Sequence, residues 1–136
     1  MTFVLGYDES PGAQRALVVA LDMASRFGES LVLVYGVSPP GGVGDEFRAH
    51  QDALAELGRA ATEHAVEQAT AAGVEATVEL IHAKPAQALV EVAERVGARV
   101  IVVGTWGESP LRGAILGSTP HRLLQLSSRP VLVVPA

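Results

Sequence analysis

Short apolar runs alternate along this chain with longer stretches of helical period. Four runs, Phe3–Tyr7, Leu31–Val37, Val100–Val103 and Val131–Val134, are rich in Val and Leu with little polar alternation. Runs of that kind are expected of parallel strands buried on both faces by helices. A fifth run, Glu75–His82, alternates: Ala76, Val78 and Leu80 fall on one side, Thr77 and Glu79 on the other. It predicts an edge strand with one face nearer to solvent.

The intervening stretches carry the helical period. Ala13, Leu17, Ala20, Ala24 and Phe27 share one helix face, and Gly28 supplies a stop. Leu54, Leu57, Ala61, Ala65 and Ala69 mark the longest helix, ending at Gly73. Ala86, Leu89, Ala93 and Val96 mark a third, closed by Gly97, and a short fourth begins near Ser118 and ends before Arg129-Pro130. The resulting order, β-α-β-α-β-α-β-α-β, predicts a single α/β domain over residues 1–136. Its core would be an open five-stranded parallel sheet, doubly wound, with right-handed crossovers placing helices on both faces. No repeat or linker interrupts it, and Pro39-Pro40-Gly41-Gly42 predicts a mobile loop after the second strand.

Composition narrows the picture further. Hydrophobic residues make up 49% of the 136 positions but aromatics only 4%, so the core must be built from Val, Leu, Ile and Ala. The net charge of −5, ten Lys plus Arg against fifteen Asp plus Glu, is the opposite of what a nucleic-acid-coating protein carries. It does not exclude a phosphate ligand, because backbone N–H groups at a helix start hold an anion without any lysine. The absence of cysteine removes disulfides, Fe–S clusters, cysteine zinc sites and thiol nucleophiles. The first residues lack the basic start and apolar stretch of a signal peptide, and no segment approaches 18 consecutive apolar residues. A cytoplasmic protein with no membrane or nucleic-acid partner is expected.

In an open α/β sheet, ligands bind beyond the carboxyl ends of the strands, near the point where strand order reverses. Three segments leave strand ends with suitable residues: Asp8-Glu9-Ser10-Pro11-Gly12, Gly36-Val37-Ser38, and the long stretch from Gly104. The last reads Gly104-Thr105-Trp106-Gly107, then nine residues, then Gly117-Ser118-Thr119-Pro120 at a helix start. Gly104 directly follows a buried strand, where backbone can approach a ligand that any Cβ would obstruct. The first N–H groups of the following helix lack internal partners, and Pro120 suits an early helical position. Ser118 and Thr119 could bind phosphate or cap the helix, and the glycines could cradle an anion or only shape a turn. Asp8, shortly before Ser10-Pro11-Gly12, could contact a ligand, form a turn and cap, or do both. Trp106 could cover a ligand or pack the loop down. Arg112 and Arg122 flank the segment and could reach an anion there or stand as solvated charges.

Other signals fail. Phe47 sits where a Gly42-Val43-Gly44 dinucleotide motif needs its third glycine, and neither a Walker lysine nor a Gly-x-Ser-x-Gly elbow occurs. His50, His64, His82 and His121 lack zinc-ligand spacing.

With Gly104, Gly107, Gly117 and Ser118 in place, the chain resembles the ATP-binding branch of the universal stress protein family. The family pattern is Gly, two residues, Gly, nine residues, Gly, then Ser or Thr, and it is met here without a gap. Val4-Leu5-Gly6-Tyr7-Asp8 and Arg129-Pro130-Val131-Leu132-Val133-Val134 look like its first and last strands. The resemblance implies an adenine-nucleotide alpha-hydrolase-like sheet with strand order 3-2-1-4-5. It implies that Asp8 contacts the adenosine, that Gly36 and Val37 grip adenine through backbone, and that Gly104 lies against the ribose. Gly107, Gly117, Ser118 and Thr119 would wrap the phosphates of ATP, ADP or AMP, with Mg2+ accompanying a triphosphate. Glu9 and Gly36 depart from the family's usual small and aliphatic residues.

Three functions remain open on these grounds: a nucleotide-binding stress-response regulator, a weak ATPase or phosphoryl-transfer enzyme, and a dimerisation module. The regulator leads, because the glycine pattern is complete while no dedicated catalytic base stands out. The apolar Val131–Val134 strand, at a sheet edge, invites homodimerisation, as the family commonly does.

Overall fold

The computed structural model describes residues 1–8, 10–36, 45–105 and 118–135, apart from the side chains of 45–48, 50, 51, 54, 55 and 118. The elements run β1 (Thr2–Gly6), α1 (Pro11–Phe27), β2 (Ser30–Gly36), α2 (Asp45–Ala71), β3 (Ala76–Ile81), α3 (Pro85–Val96), β4 (Ala98–Gly104), α4 (Ser118–Leu126) and β5 (Val131–Val134). All four strand pairings are parallel, in the order β3-β2-β1-β4-β5. The expected fold and strand order are therefore present. The Pro39-Pro40-Gly41-Gly42 loop and the end of the expected second strand, Val37, lie outside the described residues.

Alternate residues of each central strand feed two separate cores. Phe3, Leu5, Leu31, Leu33 and Val102 point to one face, where Ala and Leu residues of α1 and Ala65 and Ala69 of α2 cover them. Val4, Val32, Val34, Ile101 and Val103 point to the other, against α3 and Leu123 of α4. Each of the large side chains that becomes fully buried is worth roughly 1.5–3 kcal/mol of transfer free energy, and Phe3, Leu5, Leu31, Leu33 and Ile101 are all 0% exposed. The helices contribute mostly Ala to these layers, so their backbones lie close on a sheet of branched side chains.

The helices stop as the glycines predict. Gly28 and Gly97 close α1 and α3 at φ 65° and 64°, a left-handed conformation that costs a Cβ-bearing residue more. Strand bounds differ by a residue or two from the apolar runs. Gly104 belongs to β4 as its last residue instead of following it, and β4 extends back to Ala98. Two positions assigned to buried helix faces are exposed: Phe27 at 55% and Leu57 at 62%. Phe27 sits in the last turn of α1, where its ring meets Phe3 (centroids 5.9 Å apart) and lies under the Arg99 guanidinium at 4.9 Å. On β3 the expected alternation is also blurred. Val78 is 37% exposed, while Glu79, expected on the opposite side, is half-buried through its ion pair with Arg95 at 2.8 Å.

Candidate functional site

The chain steps outward from β1 through β2 to β3, then returns to the other side of β1 for β4 and β5. Strand β1 hands over to α1 on one face, and the chain after β4 reaches α4 on the opposite face. The connections therefore diverge above the β1–β4 pair and leave a crevice, the switch point at which such sheets take their ligands.

Each residue at this crevice is placed by a local device. The Tyr7 N–H donates to the Val34 carbonyl at 3.0 Å, carrying the β1–β2 ladder one step past Gly6. The chain then turns at Asp8, whose Oδ1 accepts the Ser10 N–H at 3.0 Å, an Asx turn. Ser10 in turn caps α1, its Oγ accepting the Ala13 N–H at 3.2 Å, and Pro11 takes the first helical position. Asp8 thus makes the turn while Ser10 makes the cap, and the Asp8 carboxylate still lines the crevice.

Gly36 ends β2, and its missing Cβ has a packing cause. A Cβ there would stand 2.9 Å from Pro85 Cα and 3.2 Å from the Ala83 carbonyl oxygen, so the segment entering α3 lies directly on the strand end. At Gly104 the constraint is tighter, because a Cβ would meet both the carbonyl carbon and oxygen of Gly12 at 2.7 Å. Two glycines, one ending β4 and one in the first turn of α1, let strand and helix touch backbone to backbone.

Asp8, Gly36, Gly104 and Thr119 accordingly line one crevice. Its walls are apolar where Val34, Leu89 and Val103 reach it, and Asp8 is its one described carboxylate. Ser118 is placed as the first residue of α4, with its side chain outside the description, and Val37, Gly107 and Gly117 lie outside the described residues. So does Trp106. Sequence reasoning missed Pro85 and Leu89, which line the crevice from the start of α3. The available signal was the β3–α3 connection itself, a fourth loop leaving a strand's carboxyl end.

Among the described residues, no group of three or more His, Asp or Glu is arranged to hold a metal ion. The perturbed acids lie elsewhere. Hydrogen bonds from Arg99 hold the Glu29 carboxyl below its ordinary value, and hydrogen bonds from Ser128 and Arg129 do the same for Glu94. No described helix is long and apolar enough to cross a membrane.

Sheet order, helix placement and crevice together define a doubly wound α/β protein with an opening at its switch point. The profile of the universal stress protein family matches residues 1–135. The chain is 32% identical over 135 residues to a universal stress protein of Methanocaldococcus jannaschii, covering 96% of this chain and 79% of that protein. A universal stress protein of Thermus aquaticus is also 32% identical over 135 residues, with 98% and 97% covered. A solved universal stress protein in complex with cAMP is 28% identical and superposes with a TM-score of 0.79, covering 98% of this chain and 96% of that one. The chain belongs to the universal stress protein family.

Proposed function

We propose that the switch-point crevice binds an adenine nucleotide, with ATP the preferred ligand, and that occupancy alters a surface read by a protein partner. Asp8 would accept hydrogen bonds from the ribose hydroxyls. The backbone at Gly36 and Val37 would meet adenine, whose apolar faces suit Val34 and Leu89. Gly104 would lie against the ribose, and Gly107, Gly117, Ser118 and Thr119 would carry the phosphates at the start of α4, where unpaired N–H groups and the helix dipole favour an anion. Mg2+ would travel with the triphosphate. The observation that carries this reading is the convergence of Asp8, Gly36, Gly104 and Thr119, from three strand ends and a helix start, on one crevice. The similar protein crystallised with cAMP supports the ligand class.

Native mass spectrometry of the purified protein, with and without added ATP and Mg2+, tests it. One adenine-nucleotide mass increment per chain is expected, lost in Gly117→Val. An increment that survives in the variant, or none at millimolar ATP, would remove the assignment.

A further inference from the structure

Beside the crevice, and sharing its Pro85 and Thr119 walls, lies a second cavity completed by Lys84, Ala86, Gln87 and Arg122. Among the described residues, two cations and no carboxylate line it. That balance is unusual for this chain, which holds fifteen carboxylates against ten cations and a single lysine, Lys84. Carboxylates elsewhere take up most of the described arginines: Arg26 pairs with Asp22, Arg59 with Glu56, Arg95 with Glu79, Arg99 with Glu29 and Arg129 with Glu94. Among the described residues, Lys84, Arg122 and Arg15 have no such partner. Two of those three converge on one cavity, contiguous with the crevice.

The position of Lys84 adds to this. It stands at the N-cap position of α3, where an ammonium, a donor only, cannot bond the helix N–H groups, and its charge is left for an acceptor in the cavity. Arg122 lies one turn into α4, whose start would carry the phosphates. Thr119 lines both the crevice and this cavity, so a phosphate chain that reaches Thr119 from the crevice is led on towards Lys84 and Arg122, and each added phosphate brings more charge to them. We propose that Lys84 and Arg122 form a cationic extension of the nucleotide site that selects phosphate-chain length, favouring ATP over AMP. This rests on the nucleotide reading above and names the residues that set its specificity.

Titration calorimetry of the full chain with ATP and with AMP tests the assignment. It would compare the wild type, the double variant Lys84→Gln/Arg122→Gln, and Arg15→Gln as a control removing an equally exposed, unpaired cation outside the cavity. Wild type should bind ATP more tightly than AMP. The double variant should lose about three- to tenfold in ATP affinity, as two solvent-exposed charge contacts supply, with AMP affinity unchanged. Near 1 M salt, where the screening length is about 3 Å, that loss should vanish. A packing defect would persist there. An ATP-to-AMP ratio unchanged in the double variant, or lowered equally by Arg15→Gln, overturns the extension and leaves the nucleotide site standing. Wild type binding neither nucleotide overturns the underlying reading and the extension with it.

Discussion

At the scale of single residues, the glycines lining the crevice are not equivalent, because different atoms occupy the space a Cβ would need. At Gly104 the obstruction is the backbone of Gly12 at 2.7 Å, which can move only by displacing α1 from the sheet. At Gly6 it is Leu89 Cδ1 at 3.0 Å and Val103 Cγ1 at 3.2 Å, side-chain ends that can rotate. Overpacking against a fixed neighbour costs about 1–3 kcal/mol. Gly104→Ala is therefore expected to lose stability in that range and Gly6→Ala distinctly less, by urea unfolding of the two variants. Equal losses would show that α1 yields as easily as a leucine. The contrast also explains how far the site was legible. A glycine at the end of a buried strand reads as room for a ligand, whereas at Gly104 the space a Cβ would need is filled by the chain itself. Pattern alone cannot say that the excluding atoms are those of Gly12, brought there only when α1 docks. The departure at Gly36 has the same origin, since Pro85 reaches it only once β3 pairs with β2 and α3 follows.

At the scale of elements, the apolar periods and glycine stops located the described strands and helices, and the misplacements fall on single helix-face positions. Phe27 and Leu57 obey the helical spacing, but spacing says which residues share a face and not how far the opposite surface extends. Phe27, in the last turn of α1, meets Phe3 of β1 and lies under Arg99 of β4 while staying 55% exposed. Arg99 is itself tied across to the loop before β2, its Nε 2.9 Å from both oxygens of Glu29 and its Nη2 2.5 Å from Oε1. This bidentate pair joins β4 to the α1–β2 connection, and the Glu29 side chain is only 10% exposed. Because the pair depresses the folded-state pKa of Glu29, its stabilisation is present above the ordinary carboxylate range and is lost as pH falls through the lowered value. The stability difference between wild type and Arg99→Gln should thus be largest near neutral pH and shrink below about pH 4. Unfolding midpoints measured across that range check it. A difference independent of pH would assign the effect of Arg99 to its stacking on Phe27.

At the scale of the whole molecule, the sheet has two edges, and they are guarded unequally. An exposed edge is a template for another chain unless charge, brevity or a cover blocks it. Strand β3 carries Glu79, tied to Arg95, and exposes Thr77. Strand β5 is Val131-Leu132-Val133-Val134, without a polar side chain, and its first three residues are only half-buried. Next to it in sequence, α4 exposes Leu124 at 56% and Leu126 at 47%. Apolar surface left beside an unpaired strand is expected to be covered by a second copy of the chain, with β5 at the centre of the interface. Charged substitutions at Val131 and Val133 should then convert a dimer to a monomer, read as a shift in elution volume or in light-scattering mass. An unchanged mass would remove β5 from the interface. The same strand bears on the ligand crevice, because Gly104 pairs with Val134 and the Thr105 N–H donates to the Val134 carbonyl at 3.1 Å. A dimer built on β5 would therefore begin one strand away from the residues that line the site. If nucleotide changes dimer affinity, dimerisation must change nucleotide affinity in the same sense, and with one site per chain the dimer constant shifts by the square of the per-site factor. The charged variant, kept monomeric, should accordingly bind ATP with an affinity displaced from that of the wild-type dimer by the square root of the factor by which saturating ATP shifts the dimer constant. Equal ATP affinities in the monomeric variant and the wild-type dimer would separate the two surfaces.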